Sequence, residues 1–173
     1  MKPTTRNLLI SVLLATLASG CGWQLRGAGV IPAGLDSLHI SARDPHSPLV
    51  TELTRTLRAA DVKVPASAED APYALMILSE RRGVRTATVN ANARVSEQEL
   101  REEVEFLILD RDGATLLPRS TVVVERVFEY DENNVLATQD EERLIRAEMR
   151  RDLVNQILNR FRQIKDLDGA AAP

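Results

Sequence analysis

Two clusters of carboxylates are the residues whose type and spacing best suit proton-transfer chemistry, because paired carboxylates can act as a general acid and a general base. The first cluster falls mostly on the polar face of a predicted strand. The second falls in the first turn of a predicted helix, where negative charge offsets the helix dipole. Both are therefore interpreted as surface charge, and an enzyme built on the first cluster is kept as an alternative hypothesis. The clusters are Glu102, Glu103 and Glu105, and Asp140, Glu141 and Glu142.

Sequence motifs of the common catalytic and metal sites are missing from the chain. It has no G-x-S-x-G, H-E-x-x-H, P-loop or dinucleotide-binding motif. Its two histidines, His39 and His46, have no cysteine or second ligand at the spacing that a metal site uses. We therefore expect a protein that is not an enzyme and that holds neither a metal nor a cofactor.

Four arginines concentrate positive charge in a chain whose net charge is −3. Arg81, Arg82, Arg85 and Arg94 lie in a stretch, 81–96, that contains no acidic residue. The planar guanidinium group binds phosphate and carboxylate groups through paired hydrogen bonds. We expect this stretch at the tip of a β-hairpin, where it would suit an anionic headgroup. The same charges would also neutralise glutamates of the neighbouring strand, and charge alone does not separate the two interpretations.

The single cysteine, Cys21, follows a segment organised like an export signal. A short basic region precedes an apolar run from Leu8 to Leu17, and small residues fill positions 18–20. The run is shorter than the roughly 20 residues that cross a bilayer. The arrangement resembles the lipobox of bacterial lipoproteins, so we expect residues 1–20 to be a cleaved signal peptide and Cys21 to be lipidated. The alternative is an ordinary secretory signal followed by a free thiol.

The rest of the chain suits one acidic domain. After residue 20 the net charge is −5, which argues against a nucleic-acid partner. No later segment approaches the length of a membrane span. We predict a single domain over residues 21–165 and a short, alanine-rich, disordered tail over residues 166–173.

The hydrophobic pattern predicts an α+β fold. In the first part, a helix from Pro48 to Ala60 connects two short parallel strands, Leu38 to Ile40 and Val62 to Val64. In the second part, three longer strands form an antiparallel meander, with Pro118 marking an edge or a strand start, and a long helix follows. We therefore predict a two-layer sandwich in which two helices pack on a mostly antiparallel sheet of four or five strands. The longer elements are predicted from Tyr73 to about Thr86, from Gln98 to Leu109, from Thr121 to Tyr130, and from about Thr138 or Gln139 to Lys165.

Several segments, in their order and spacing, resemble the family of the LPS-assembly lipoprotein LptE. No single motif is diagnostic, but together they extend from Cys21 to about Arg162. The segments are Cys21 to Gly27, Thr88 to Asn90 with Arg94 and Glu97, Val104 to Phe106 with Leu109, Asp110 and Gly113, Phe128 to Asn133 with Val135 to Ala137, and Glu141-Glu142, Met149-Arg150 and Gln156 to Leu158.

The resemblance implies a lipid-anchored protein at the periplasmic face of the outer membrane, and Gly22 after the cysteine agrees with the outer-membrane sorting rule of enterobacterial lipoproteins. It also implies a plug within the β-barrel translocon subunit LptD, a role in assembling that barrel, and binding of lipopolysaccharide. The family's two basic positions correspond here to Ala91 and Thr138, so we expect the ligand contacts to come from Arg94 or from the group Arg81, Arg82 and Arg85. An accessory lipoprotein of a lipid-transporting ABC system is the alternative.

Overall fold

The polar and apolar residues alternate with the period of a strand in the middle of the chain and with that of a helix on either side. In the computed structural model, which describes residues 31–32 and 34–164, these patterns form four strands and two α-helices. A short 3-10 turn, Ala68–Asp70, precedes the second strand. The elements in chain order are β1 (His39–Ala42), α1 (Pro48–Ala59), β2 (Tyr73–Val89), β3 (Val95–Asp110), β4 (Thr115–Glu129) and α2 (Val135–Arg162).

The strands form one mixed sheet in the order β1-β2-β3-β4. The first pair is parallel, with His39 opposite Ala74, and the other two pairs are antiparallel. Gly113 has a φ of 83° and so permits the tight turn between β3 and β4, at the end of the sheet that we call the base. The predicted fold class, two helices on a mostly antiparallel sheet, is confirmed.

The prediction of a second short strand at Val62 to Val64 was wrong. Only one bridge forms there, in which Lys63 lies parallel to Ser37. Asp61, before this segment, has a φ of 61°, and Pro65, after it, has no N–H to donate. Both residues limit the ladder, and the parallel partner of β1 is instead β2, which follows the crossover through α1.

Both helices cover the same face of the sheet. Ser47 caps α1 by accepting a hydrogen bond of 3.2 Å from the backbone N–H of Val50, and Pro48 occupies the first turn, as predicted. The predicted apolar ladder of α2 is buried from Met149 onward, and Phe161 meets the ring of Tyr73 edge to face with centroids 5.7 Å apart. The buried residues of α2 are Thr138, Met149, Leu153, Val154, Ile157, Leu158 and Phe161.

The turn between β2 and β3 lies at the end of the sheet opposite the base. β2 has 17 residues, so it is about 55 Å long. It is longer than predicted, and its half beyond Arg81 is exposed. β4 also starts earlier than predicted, and Pro118 lies within this edge strand, at a bulge where Phe106 and Ile108 are opposite Ser120 and Leu117.

Candidate functional site

The register of the β2-β3 hairpin sorts its charged residues onto the two faces of the sheet. Along β3 the residues Leu100 and Val104 are buried beneath the helices, so the residues between them at odd positions point to the helix-free face. Arg81 lies opposite Glu103 and therefore shares that face. Arg82 lies opposite Glu102, on the helix-covered side. The predicted arginine cluster is thus divided between two faces.

The helix-free face carries a ladder of cross-strand ion pairs. Arg81 donates to Glu103 at 2.7 Å and to Glu105 at 3.4 Å. Arg85 donates two hydrogen bonds to Glu99, at 2.6 and 2.9 Å. These contacts correspond to the second interpretation of the charge run, in which the arginines neutralise glutamates of the next strand.

Hydrogen bonding within this ladder changes the proton affinities of its members. The hydrogen bonds between Arg85 and Glu99 raise the pKa of the Arg85 guanidinium and lower the pKa of the Glu99 carboxyl below its ordinary value. The hydrogen bonds that Arg101 donates to Glu103 and Glu125 raise its pKa. Arg85 and Arg101 are therefore charged, and Glu99 stays an anion to lower pH than an ordinary glutamate.

The end of the hairpin distal to the base is a tight turn closed by Asn90. Its side-chain oxygen accepts hydrogen bonds from the backbone N–H groups of Asn92, at 2.9 Å, and Arg94, at 3.1 Å. The guanidinium of Arg94 pairs with Glu132, in the link before α2. This contact joins the tip to the start of α2 and leaves other N–H donors of Arg94 facing solvent, because a guanidinium has five.

Arg82 differs from the other three arginines, since it has no ion pair within the part of the chain that the structure describes. It borders a surface cavity of about 470 Å³ at the N-terminus of α1. Arg43 lines the same cavity, but so do Asp44 and Glu80, which balance the two positive charges. Glu80 also accepts a 2.8 Å hydrogen bond from Ser47. The cavity is therefore close to neutral.

A buried ion pair is the feature that sequence reasoning missed. Glu102 is only 3% exposed, and its carboxylate accepts a 3.3 Å hydrogen bond from Arg146 of α2. Arg146 also donates to Glu142 at 2.7 Å. The strand alternation places Glu102 on the inward face, but its partner lies 44 positions away and is visible only in the folded chain. The contact ties α2 to β3.

The two positions at which the family's basic residues are replaced have different environments. Ala91 is exposed in the tip turn. Thr138 is buried, and its hydroxyl contacts both the backbone N–H and the backbone C=O of Asp131 at 3.3 Å. The Thr138 hydroxyl therefore fixes the link before α2, and because the residue is buried, a ligand cannot reach it.

Other predicted features are covered only in part by the described residues. Cys21, the predicted signal peptide and the predicted tail lie outside them. Within residues 31–32 and 34–164, no helix is long and apolar enough to cross a membrane. The same residues contain no group of three or more His, Cys, Asp or Glu side chains placed to hold a metal ion.

Comparison with known proteins gives consistent matches. Residues 35–161 match the sequence model of the family described as LptE, lipopolysaccharide-assembly. Proteins called LPS-assembly lipoprotein LptE from Pectobacterium atrosepticum and Photorhabdus laumondii are each 29% identical to the chain; the alignments cover 88% of this chain and 83% and 87% of those proteins. The solution structure of lipoprotein B from Nitrosomonas europaea is 26% identical, with a TM-score of 0.68, and the match covers 86% of this chain and 94% of that one. A crystal structure of a minor lipoprotein from Acinetobacter baumannii is 26% identical, with a TM-score of 0.58, over 72% of this chain and 89% of that one.

Proposed function

The chain belongs to the LptE lipopolysaccharide-assembly family, and from that premise we propose that it is a non-enzymatic lipoprotein of the outer membrane that acts with the β-barrel LptD. In this proposal lipid on Cys21 anchors the protein at the periplasmic face. The domain forms a complex with LptD, assists its assembly, and binds lipopolysaccharide on its way to the outer leaflet. The observation that carries the proposal is the family match, which covers residues 35–161.

The anchor follows from the sequence before the domain. Each buried methylene contributes roughly 0.8 kcal/mol, so the two or three acyl chains of a bacterial lipoprotein are enough to hold a domain at a membrane. The described part of the chain begins at Ile31, which packs against the core. The proposed lipid on Cys21 would therefore lie ten residues before this part of the core.

The proposed ligand contacts are Arg81, Arg82, Arg85 and Arg94. Three of them already pair with glutamates, so a lipid A phosphate would use their remaining N–H donors, whereas Arg82 has no ion pair to give up within the described residues. We therefore expect Arg82 to contribute most to lipopolysaccharide binding per residue. Because these side chains are exposed, the binding should weaken as salt is added.

Lipopolysaccharide binding is tested by substituting each arginine with glutamine, which avoids placing a new carboxylate against Glu99 or Glu103. Arg82→Gln should weaken binding of purified lipopolysaccharide most and should reduce its salt dependence. Arg119→Gln is the matched control, because Arg119 is an exposed arginine without an ion pair among the described residues, in β4 near the base. Equal affinities of all variants would reject the arginine assignment.

The assembly role is tested by depleting the protein in its own cell. Depletion should lower the amount of heat-stable folded LptD and the amount of lipopolysaccharide at the cell surface, and wild-type protein should restore both. The Cys21→Ser variant should restore neither fully. Unchanged LptD folding and unchanged surface lipopolysaccharide after depletion would reject the proposed function.

A further inference from the structure

The edge of β2 is unpaired over most of its length. β1 is only four residues long and pairs with β2 from Ala74 to Ile77. β2 continues to Val89. Among the described residues, the segment 78–89 therefore has a neighbouring strand on one side only, β3. We call this segment the free edge.

The free edge carries charged side chains, but it has fewer of the other features that protect an edge strand from further pairing than β4 has. β4, at the other edge of the sheet, has Pro118 and a bulge beside it. The free edge has no proline, and from Ser79 to Thr86 its pairing with β3 runs without a register shift. Its apolar residues Val84 and Val89 are 51% and 58% exposed. The backbone is thus regular and extended from Ser79 to Thr86, and register shifts lie on either side of this part, between Ile77 and Ser79 and between Thr86 and Val89.

The side chains of the free edge limit what can pair with it. The segment contains three arginines and one glutamate, so its net charge is +2. Arg81 and Arg85 are satisfied on the helix-free face, and Glu80 is held by Ser47. On the helix-covered side, Arg82 has no ion pair among the described residues and is therefore free to bind an acidic group. The exposed Val84 lies two residues further along the same face. A second copy of the chain would bring the same excess of positive charge, which disfavours pairing of two free edges.

We propose that the free edge docks an extended segment of a partner protein as an added β-strand, with an acidic side chain of that segment opposite Arg82. Main-chain hydrogen bonds to the unpaired groups of β2 provide the affinity, as in other cases of strand addition. The charge of Arg82 and the apolar surface of Val84 select a segment in which an acidic and an apolar residue lie two positions apart. This docking goes beyond the proposed function, since it requires neither the anchor nor lipopolysaccharide, although it shares Arg82 with the proposed lipopolysaccharide contacts.

The test uses the full chain in mild detergent and a labelled peptide, acetyl-Thr-Val-Thr-Glu-Thr-Val-Thr-amide. The peptide reads the same in both directions, so it offers a valine two positions from the glutamate whether it docks parallel or antiparallel. We expect saturable binding that slows hydrogen exchange of those amides in residues 78–89 that point away from β3. Arg82→Glu should weaken binding roughly threefold or more, and a peptide with lysine in place of glutamate should prefer that variant.

Arg119→Glu is the matched control, because it makes the same charge change on the other edge strand. It should leave peptide affinity unchanged. The proposal is overturned if the peptide shows no saturable binding at millimolar concentration, if protection falls on β4, or if the charge exchange at Arg82 has no effect. It is also overturned if the free-edge amides that point away from β3 are already protected without peptide, since a segment of this chain or a second copy would then occupy the edge. No lipopolysaccharide or LptD is present, so this result is independent of the proposed function.

Discussion

The ion pair between Glu102 and Arg146 should be asymmetric, so that losing the arginine costs more stability than losing the glutamate. The Glu102 side chain is 4% exposed, and Arg146 is its only charged partner among the described residues. The Arg146 side chain is 17% exposed and keeps a second partner, Glu142, at 2.7 Å. Removing Arg146 therefore leaves a buried carboxylate without compensation, whereas removing Glu102 leaves an arginine that is still paired.

The magnitudes follow from that difference. Arg146→Met should lower the free energy of unfolding by about 3 to 5 kcal/mol, the usual cost of a buried charge left unpaired. Glu102→Leu should lower it by only about 1 kcal/mol, because one hydrogen bond is lost. The double variant should have a free energy of unfolding close to that of the wild type, because an apolar pair of similar volume leaves no buried charge unpaired.

The assay is urea unfolding at pH 7, followed by circular dichroism, of the wild type, both single variants and the double variant. With a urea dependence of about 2 kcal/mol per molar, Arg146→Met should lower the midpoint by roughly 1.5 to 2.5 M. Equal losses in the two single variants, or additive losses in the double variant, would refute the reasoning. So would an Arg146→Met variant with the stability of the wild type.

Three further predictions concern the helix cap, the core and the ion-pair ladder. Ser47→Ala should lower the free energy of unfolding by about 1 to 2 kcal/mol in the same assay, because Ser47 both caps α1 and donates to Glu80. Phe161→Ala should lower it by about 3 to 5 kcal/mol, since the ring is fully buried against Tyr73; a loss below 1 kcal/mol would contradict the packing. Arg85 lowers the pKa of Glu99 in the folded protein, so the ionised Glu99 side chain should stabilise the fold at neutral pH. This stabilisation should be lost as the pH falls from the unfolded-state pKa of about 4.3 through the lower pKa of the folded state. Unfolding curves of the wild type and Glu99→Gln should therefore converge in acid, and a difference that grows in acid would contradict the assignment.

The elements with a strong local pattern could be predicted from the sequence. The alternation from Leu100 to Ile108 and the ladder from Met149 to Phe161 were confirmed, because burial of one face is written into the spacing of apolar residues. The segment at Val62 to Val64 has β-branched residues but too few of them between Asp61 and Pro65 to build a ladder. The start of α2 was placed three residues late, since Asn134 provides no side-chain cap that would mark it.

The site could be predicted only as a set of residues. The sequence places four arginines in one stretch, but their division between two faces depends on the register of β2 against β3. The pairing of Arg94 with Glu132 and of Glu102 with Arg146 depends on contacts between residues far apart in the chain. The free edge follows from a comparison of strand lengths, since β1 covers only four residues of a much longer partner.

The most direct test of the central claim is quantitative affinity purification of the tagged full chain from detergent-solubilised outer membranes. The account predicts that one large β-barrel, identified as LptD by mass spectrometry, is recovered in a ratio close to one to one. A chain recovered from the outer membrane without any barrel in comparable amount would contradict it.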